Sequence, residues 1–308
     1  MPKGLNIILL QGGNSQEREV SLTSGQAVHD ALIALGHRVE VIDPQQDLQD
    51  FVQALTQAFA GTCDVIFNAL HGKFGEDGHI QAIAALLDMK ITHSGLLSSA
   101  LAMDKLMAKK ILFSQGIPVA NGEKLQIKRI QHYLPIPYPF VIKPVGEGSS
   151  VGVTIVQQED DLPNWSLLQD DDYMIEEYVH GRELTVAVMR NQALNVTEIV
   201  PNQGFYDYKA KYTDGIAPHT CPAEIPEFIA NRCKFMAEAA HMALGCKGVS
   251  RADFRYDEEG IGGVKGRLVM LEVNTQPGMT NLSLVPEQAA ANGIGFHELV
   301  QMMIDDAL

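Results

Sequence analysis

The sequence has 308 residues, of which 46% are hydrophobic and 20% charged, which is typical of a soluble protein with two or three lobes. Its formal net charge of −15 argues against a duplex nucleic acid partner, because phosphate binding requires a basic surface. The chain shows no signal-peptide pattern, no apolar run long enough for a membrane span and no CxxC pair among its cysteines. We therefore expect a cytoplasmic protein with reduced thiols and no membrane partner.

Strands alternate with helices in the first third of the chain. Apolar runs predict strands at residues 5–10, 38–42 and 64–70, and helical spacing predicts helices at 17–35 and 48–59. This alternation favours a small, doubly wound parallel sheet that ends near residue 95.

A glycine-rich segment, HGKFGEDG at residues 71–78, follows the third strand. It lies at the carboxyl end of that strand, where open α/β sheets bind ligands. Glycines with His71, Glu76 and Asp77 favour a backbone held open around a ligand, although an ordinary surface turn is the alternative.

The middle of the chain carries two lysines of interest. Residues 101–113 are predicted to form a helix that contains Lys105, and residues 138–143 a strand that ends at Lys143. The loop at 146–152 offers many backbone and hydroxyl donors and could fold over phosphates, but it is not a Walker A loop. Taken alone, Lys105 would be an ordinary exposed charge.

Two further strands, at residues 173–179 and 183–189, carry Glu176, Glu177 and Glu183, which on pattern alone are exposed carboxylates. Residues 201–222 show no periodicity. A loop of this length in a compact domain is normally functional or disordered, and its aromatic residues and lysines argue against disorder.

The last part of the chain predicts a metal site. Residues 248–256 and 268–274 are expected to pair as a hairpin, between a helix at 226–244 and terminal helices at 286–292 and 296–306. Glu272 and Asn274 leave the same face of their strand, so both could converge with Asp253 on one hard divalent cation. A polar strand end before a turn is the alternative reading.

Taken together, these segments resemble the ATP-grasp enzymes and, within them, the D-alanine–D-alanine ligase family. The resemblance covers nearly the whole chain. Its motifs include EREVS at 17–21, HGKFGEDG, SALAMDK at 99–105, EGSSVG, GRELTV at 181–186, FYDYKAKY at 205–212, CPA at 221–223, RADF at 251–254, and EVNTQPGMT to SLVP. The departure that we notice is Gln276, where the family more often has Ser or Leu.

The resemblance implies an α/β protein in which an ATP-grasp fold follows a small doubly wound N-terminal domain. The implied domains are residues 1–95, which bind the first D-alanine, residues 96–182, with the flexible loop 146–152, and residues 183–308, with the loop 202–222 and the metal site. Both loops are expected to close over the site, because an acyl phosphate left open to water is hydrolysed.

The resemblance also implies the reaction and its cofactors. ATP would drive ligation of D-alanine to a second D-alanine through a D-alanyl phosphate, for peptidoglycan precursor synthesis. Two Mg²⁺ or Mn²⁺ ions would be held by Asp253, Glu272 and Asn274. A monovalent cation site and a homodimer are family expectations that no stretch of the sequence locates. The implied ATP-binding residues are Lys105, Lys143, Glu176, Glu177, Tyr178, Val179, Glu183, Phe205 and Lys211.

The remaining roles follow from the same resemblance. Glu17 would anchor the first ammonium group and form a hydrogen-bonded set with Ser149 and Tyr212. Arg251, with backbone amides near Gly278, would stabilise the oxyanion of the second step. The implied residues around the two amino acids are Glu17, His71, Lys211, Arg251, Gly278, Ser283 and Leu284.

Two alternative functions stay open on the sequence. Another ATP-grasp amino-acid ligase, including a D-alanine–D-lactate type, would have similar phosphate machinery, but Tyr212 stands where the D-lactate enzymes typically carry histidine. A nucleotide-binding regulator that had lost the chemistry would be expected to lack a metal ligand or Arg251, and these residues are all present.

Overall fold

The structure is a computed structural model that describes residues 4–45, 47–126, 134–149, 151–164, 173–200 and 218–308. The described strands form three sheets. The first sheet is parallel and the other two are antiparallel, and we call the parts of the chain that carry them the first, second and third lobes.

The first sheet contains β1 (Asn6–Leu10), β2 (Arg38–Ile42) and β3 (Val65–Asn68), in the order β2-β1-β3. Its connections and flanks include helices α1 (Arg18–Ala34), α2 (Leu48–Gln57) and α3 (His79–Leu86). Every residue of β1 and β3 is buried, as expected for a parallel sheet covered on both faces. The predicted doubly wound parallel lobe is therefore confirmed.

The second sheet contains β4 (Gly122–Lys124), β5 (Phe140–Pro144), β6 (Thr154–Val156) and β7 (Tyr173–Glu177), in the order β4-β7-β5-β6. Phe140, Ile142 and Ile175 form its small core. Since β5 ends at Pro144, Lys143 lies inside a paired strand and is fixed by it.

The third sheet contains β8 (Arg182–Met189), β9 (Gln192–Ala193), β10 (Thr197–Ile199), β11 (His219–Thr220), β12 (Val249–Asp257) and β13 (Arg267–Asn274). Helix α6 (Glu227–Ala243) packs against it. The predicted hairpin of β12 and β13 is confirmed. The segment from Tyr178 to Gly181 joins β7 and β8, which belong to different sheets, so the cleft between these sheets opens beside it.

The predicted single helix at residues 101–113 was wrong. Two helices, α4 (Leu96–Met103) and α5 (Lys105–Ser114), meet at Asp104. The Asp104 carboxylate accepts hydrogen bonds from the backbone N–H groups of Leu106 and Met107, both at 3.0 Å, and so caps the second helix. The cap places Lys105 in the first turn of α5, facing the site.

The last two helices, α7 (Leu284–Ala291) and α8 (Phe296–Ala307), return the chain to the first lobe. Helix α8 packs against α1, and its residues Val300 and Ile304 share a core cluster with Ile7 and Leu9 of β1. The first and third lobes therefore share one apolar core, which fixes their relative position.

Across the described part of the chain, no helix combines the length and apolar character needed to cross a membrane. All four cysteines are free thiols.

Burial of His93 makes the stability of the fold depend on pH. Its side chain packs edge-on against Phe67, and burial, reinforced by the charge of His71, lowers the pKa of His93 from 6.5 to about 3. Between these two pH values the unfolded chain binds more protons than the folded one, so stability falls as the pH falls. Because of His93, the free energy of unfolding should be about 2 kcal/mol lower at about pH 5 than at about pH 7.

We expect the stability of the His93→Asn protein to depend less on pH, because Asn does not bind a proton in this range. Asn also tolerates the positive φ of 70° at this position, so the backbone can keep its conformation. Urea unfolding at both pH values measures the difference. His241, whose pKa burial also lowers, remains in both proteins and cancels. An identical pH slope in the two proteins would contradict the prediction.

Candidate active site

The centre of the site is one face of the β12 and β13 hairpin. Asp253 pairs with Glu272, and Arg251 pairs with Asn274, in the antiparallel register. Directly opposite residues present their side chains on the same face, so these four polar groups lie together. A β-bulge between Asp253 and Phe254 interrupts the ladder here, as bulges commonly do where a side chain must be re-aimed.

Arg251 and Asp253 form a two-pronged ion pair. Arg251 Nε donates to Asp253 Oδ1 at 2.9 Å and Arg251 Nη2 donates to Oδ2 at 2.8 Å. The hydroxyl of Thr185, on the neighbouring strand β8, also donates to Asp253 Oδ1, at 2.6 Å. The Asp253 carboxylate is therefore held in one orientation by partners on its own strand and the next.

The three predicted metal ligands form an oxygen-only donor set. Asp253 and Glu272 supply carboxylates and Asn274 supplies an amide oxygen, which accepts the backbone N–H of Gln276 at 2.8 Å. Among the described positions, no group of three or more His, Cys, Asp or Glu side chains is placed so that it could hold a metal ion, and the set contains none of the sulfur or nitrogen donors typical of zinc sites. Hard divalent cations such as Mg²⁺ prefer oxygen donors of this kind, so these residues fit the implied ions.

A cleft lies between the second and third sheets. Most of the residues predicted to bind ATP line it. These ATP-binding candidates are Lys105, Lys143, Glu176, Glu177, Tyr178, Val179 and Glu183. Arg251, Asp253 and Glu272, which were predicted for other roles, line the cleft too. Apolar side chains, including Val141, Ile155 and Leu271, form the remaining wall. A cleft with apolar walls and charge at one end suits an aromatic base attached to a polyphosphate.

A buried ion cluster lies in the wall of this cleft. Glu176 is 3% exposed, and its carboxylate lies 2.5 Å from Lys143 Nζ and 2.9 Å from Lys109 Nζ. Burial alone would raise the pKa of Glu176, but the two lysines outweigh burial and hold the pKa below its usual value. Two cations share one anion, so the cluster keeps a positive charge that favours phosphate.

Glu177 and Glu183 are both held by arginines. Arg267 contacts the Glu177 carboxylate at 2.5 and 3.1 Å, and Arg255 Nη1 donates to Glu183 Oε2 at 3.2 Å. The Glu177 carboxylate also accepts the backbone N–H of Asn121 at 2.8 Å. The Glu177 side chain thus joins three segments, and the neighbouring residues Tyr178 and Val179 line the cleft.

A second, smaller cleft adjoins the first. Predicted residues that line it are Glu17, His71, Ser149, Arg251, Glu272, Asn274 and Gly278, and Lys105 lines it too. Lys105, Arg251 and Glu272 line both clefts. The two clefts therefore meet at the charged face of the hairpin.

Glu17 and Ser149 join the first lobe to the loop after β5. The Ser149 hydroxyl donates a short hydrogen bond to Glu17 Oε1, and Glu17 is only 5% exposed. Gly72 has a φ of 70°, and a Cβ there would lie 2.7 Å from Glu17 Oε2. Any other residue at Gly72 would push the Glu17 carboxylate away from the cleft.

The His71 imidazole is fixed at both ring nitrogens. His71 Nδ1 lies 2.9 Å from Glu76 Oε1, and Nε2 lies 3.3 Å from the Ser24 hydroxyl, which accepts the backbone N–H of Met279 at 3.2 Å. Burial of His71 and Glu76, at 5% and 8% exposed, shields the pair from water. The predicted glycine-rich loop thus places a rigid His71 at the smaller cleft.

Two of the three residues predicted to receive the carboxylate of the second amino acid, Ser283 and Leu284, line different clefts or their edges. A Cβ on Gly278 would lie 2.8 Å from Ser283 Oγ, which places Ser283 beside the smaller cleft. Leu284, the next residue, lines the larger cleft. Phe205, Lys211 and Tyr212, which were predicted to complete both clefts, lie outside the described residues.

The start of the predicted lid, residues 146–149, contacts the first lobe. Lys73 Nζ lies 2.6 Å from Glu147 Oε1, and Lys105 Nζ donates to the Glu147 carbonyl at 2.6 Å. With the bond from Ser149 to Glu17, these contacts hold the described part of the loop across the junction of the clefts.

Three basic residues that contact the predicted carboxylates of the site were not predicted from the sequence: Lys109, Arg255 and Arg267. Lys109 lies four residues after Lys105, on the same face of α5, and this spacing could have signalled a second lysine directed at the site. Arg255 follows Asp253 by two residues on β12 and so shares its face. For Arg267 we find no local signal, because its partner Glu177 is distant in sequence.

We expect Lys109→Met to lower the free energy of unfolding by about 3 kcal/mol, because it removes one member of a buried ion cluster. Lys109 Nζ also donates to the Ala120 carbonyl at 3.0 Å, which would lose that partner. Urea unfolding measures the change, with the exposed neighbour Lys110→Met as control. Equal losses in the two variants would refute the role given to the cluster.

Comparison with known proteins finds similar chains of one family. The family model described as D-ala D-ala ligase C-terminus matches residues 113–305. A D-alanine--D-alanine ligase of Paramagnetospirillum magneticum is 51% identical over 304 residues, covering 98% of each chain. A D-alanine--D-alanine ligase of Bacillus anthracis complexed with ATP superposes with a TM-score of 0.80 at 31% identity, covering 99% of this chain and 97% of that one.

The VanG D-Ala:D-Ser ligase of Enterococcus faecalis superposes with a TM-score of 0.81 at 28% identity, over 99% of this chain and all of the other. The identity and coverage of these matches extend the resemblance beyond single motifs to the whole chain. The chain has the ATP-grasp fold and belongs to the D-alanine–D-alanine ligase family.

Proposed function

We propose that this protein joins two D-alanines to D-alanyl-D-alanine and converts ATP to ADP and phosphate. The observation that carries the proposal is the junction of the two clefts at Lys105, Arg251 and Glu272. The phosphate end of a nucleotide in the larger cleft would meet the carboxylate of an amino acid in the smaller one. Names and coverage of the relatives support the same reaction.

ATP occupies the larger cleft in this proposal. Its adenine lies along the backbone of Tyr178 and Val179, beside Glu176 and Glu177, and Glu183 receives the ribose hydroxyls. Lys105 and Lys143 hold the phosphates, together with Lys211. Positive charge at the phosphate end opposes the electrostatic cost of bringing a carboxylate to a polyphosphate.

Asp253, Glu272 and Asn274 hold the divalent cations, Mg²⁺ or Mn²⁺, in this proposal. When bound, these ions neutralise the phosphate charge and fix its orientation. Because Arg251 pairs with Asp253 in the structure, the guanidinium already lies beside this charged centre.

The first D-alanine binds in the smaller cleft, with its ammonium group at Glu17 and with His71 beside it. Its carboxylate oxygen attacks the γ phosphorus, the bond to ADP breaks, and a D-alanyl phosphate forms. Positioning supplies much of the rate, because it brings two anions together in a fixed geometry.

The amine of the second D-alanine then attacks the acyl carbon, and phosphate leaves. Its carboxylate lies near Ser283, Leu284 and Lys211. Arg251 and the backbone near Gly278 stabilise the oxyanion of the tetrahedral intermediate. Ser149 and Tyr212, with Glu17, connect the substrate to the loops 146–152 and 202–222, which exclude water.

The domains of this enzyme are the segments 1–95, 96–182 and 183–308. It acts in the cytoplasm, where its product enters peptidoglycan precursors.

The enzyme assembles as a homodimer in this proposal. Large apolar side chains exposed on two adjacent helices support it: Leu86 on α3 is 87% exposed and Leu97 on α4 is 69% exposed.

The test is ADP release with Mg²⁺ and ATP, comparing D-alanine with L-alanine and identifying the product by chromatography. D-Alanine should support ADP release and D-alanyl-D-alanine formation, whereas L-alanine should not. D-Lactate and D-serine, offered with D-alanine, measure acceptor choice. Activity that ignores stereochemistry, or that favours D-lactate at neutral pH, would overturn the proposal.

A further inference from the structure

Gln276 lines neither of the two clefts, yet it is buried, with only 2% of its surface exposed. A buried amide is costly unless its donor and acceptor both find partners. Gln276 Oε1 accepts from Asn68 Nδ2 at 2.6 Å, and Nε2 donates to the Leu70 carbonyl. Both partners belong to the first lobe, whereas Gln276 belongs to the third.

Asn68 uses its other bonds to shape the glycine-rich loop. Its Nδ2 also donates to the Gly75 carbonyl at 3.0 Å, and its Oδ1 accepts the backbone N–H of Leu70 at 3.2 Å. Gln81 donates to the same Gly75 carbonyl at 2.9 Å. The amide network therefore fixes both ends of the segment 70–75, and His71 lies within this segment.

The backbone of Gln276 acts on the other side. Its N–H donates to Asn274 Oδ1, the oxygen that we assign to a divalent cation, at 2.8 Å. One residue thus contacts both the loop that carries His71 and the end of β13. A rotation of the first lobe against the third would break the side-chain bonds and move the loop that carries His71, whereas the backbone bond to Asn274 would remain.

We propose that Gln276 is a positioning residue that fixes the first-substrate loop to the end of strand β13, and so sets the affinity for the first D-alanine. This inference rests on the proposed function. Ser at this position would be too short to reach both Asn68 and Leu70. Leu could fill the space but would leave a buried N–H and a buried carbonyl without partners.

The test replaces Gln276 with Met, which keeps the length of the side chain and removes both hydrogen bonds. Hydroxylamine in excess serves as acceptor, so that hydroxamate formation reports D-alanine at the first site alone. We expect the KM for D-alanine to rise about tenfold or more. We expect kcat at saturating D-alanine and the KM for ATP to change less than about threefold, because Gln276 touches neither substrate.

Gln288→Met is the matched control. Gln288 is also buried, and its amide accepts the backbone N–H of Ala187 at 2.6 Å and donates to the Thr185 carbonyl at 3.4 Å, within the third lobe. This variant should lose stability and keep the KM for D-alanine. Thermal melting shows whether Gln276→Met folds. If it does not, Gln276→Asn takes its place, because Asn keeps the amide group but its side chain is too short to reach both Asn68 and Leu70.

A KM for D-alanine within about twofold of the unmodified protein, in a folded Gln276 variant, would overturn the inference. An equal rise in Gln288→Met would do the same, because the effect would then follow from lost stability. An unmodified protein that releases no ADP with D-alanine would overturn the proposed function, and this inference with it.

Discussion

Replacing Glu272 with Gln should lower kcat/KM for the ligation about a thousandfold, because it removes one of two carboxylates from the proposed metal site. Glu272 lies opposite Asp253 on the hairpin and lines both clefts, at the point where phosphates and the first carboxylate would meet. The neutral amide keeps the size of the side chain and removes its charge. Steady-state rates at several Mg²⁺ concentrations measure the effect.

A second readout separates metal binding from catalysis. Titration with Mn²⁺ in the presence of ADP should show weaker binding to the Glu272→Gln protein than to the unmodified protein. Glu259→Gln, at an exposed position just beyond β12, is the control and should bind Mn²⁺ normally. Normal Mn²⁺ binding and normal activity in Glu272→Gln would exclude the residue as a metal ligand.

Arg251→Lys should lower the rate of dipeptide formation about a hundredfold to a thousandfold while ADP still forms in the first turnover. Lysine keeps the positive charge but cannot reproduce the two-pronged contact that Arg251 makes with Asp253. If Arg251 acts on the oxyanion of the second step, the acyl phosphate will form and then wait for the amine. Rapid-quench measurement of ADP and dipeptide in one turnover resolves the two steps.

Arg255→Lys is the matched control for this experiment. Arg255 lies on the same strand and contacts Glu183 and the Val179 carbonyl instead of Asp253. Its replacement should raise the KM for ATP and leave the ratio of ADP to dipeptide unchanged. Equal slowing of ADP and dipeptide formation in Arg251→Lys would show that Arg251 acts before the second step.

Local sequence patterns predicted those parts of the site whose residues are near one another on a strand or in a loop. Alternation placed Glu272 and Asn274 on one face of β13, and the hairpin register then brought Asp253 opposite Glu272. The alternation of predicted strands and helices in the first third of the chain was enough to predict the parallel lobe. The resemblance to the family supplied the roles, which the residues alone left open.

Contacts between distant segments could not be predicted in this way. The pattern at 173–189 shows two strands but not that β7 and β8 enter different sheets. Packing of α8 against α1 depends on shape and burial across almost the whole chain length. The sequence shows Gln276 as a departure from the Ser or Leu more usual in the family, and its partners Asn68 and Leu70 show that it joins two lobes.

In the proposed reaction, a carboxylate in the smaller cleft attacks a phosphate in the larger one. D-Alanine with heavy oxygen in its carboxyl group tests this directly, with Mg²⁺, ATP and the unmodified protein. We expect labelled oxygen to pass from D-alanine to inorganic phosphate in step with the dipeptide formed, and mass spectrometry of the phosphate measures this transfer. Dipeptide formed with unlabelled phosphate would contradict the acyl phosphate route and the role assigned to the junction of the clefts.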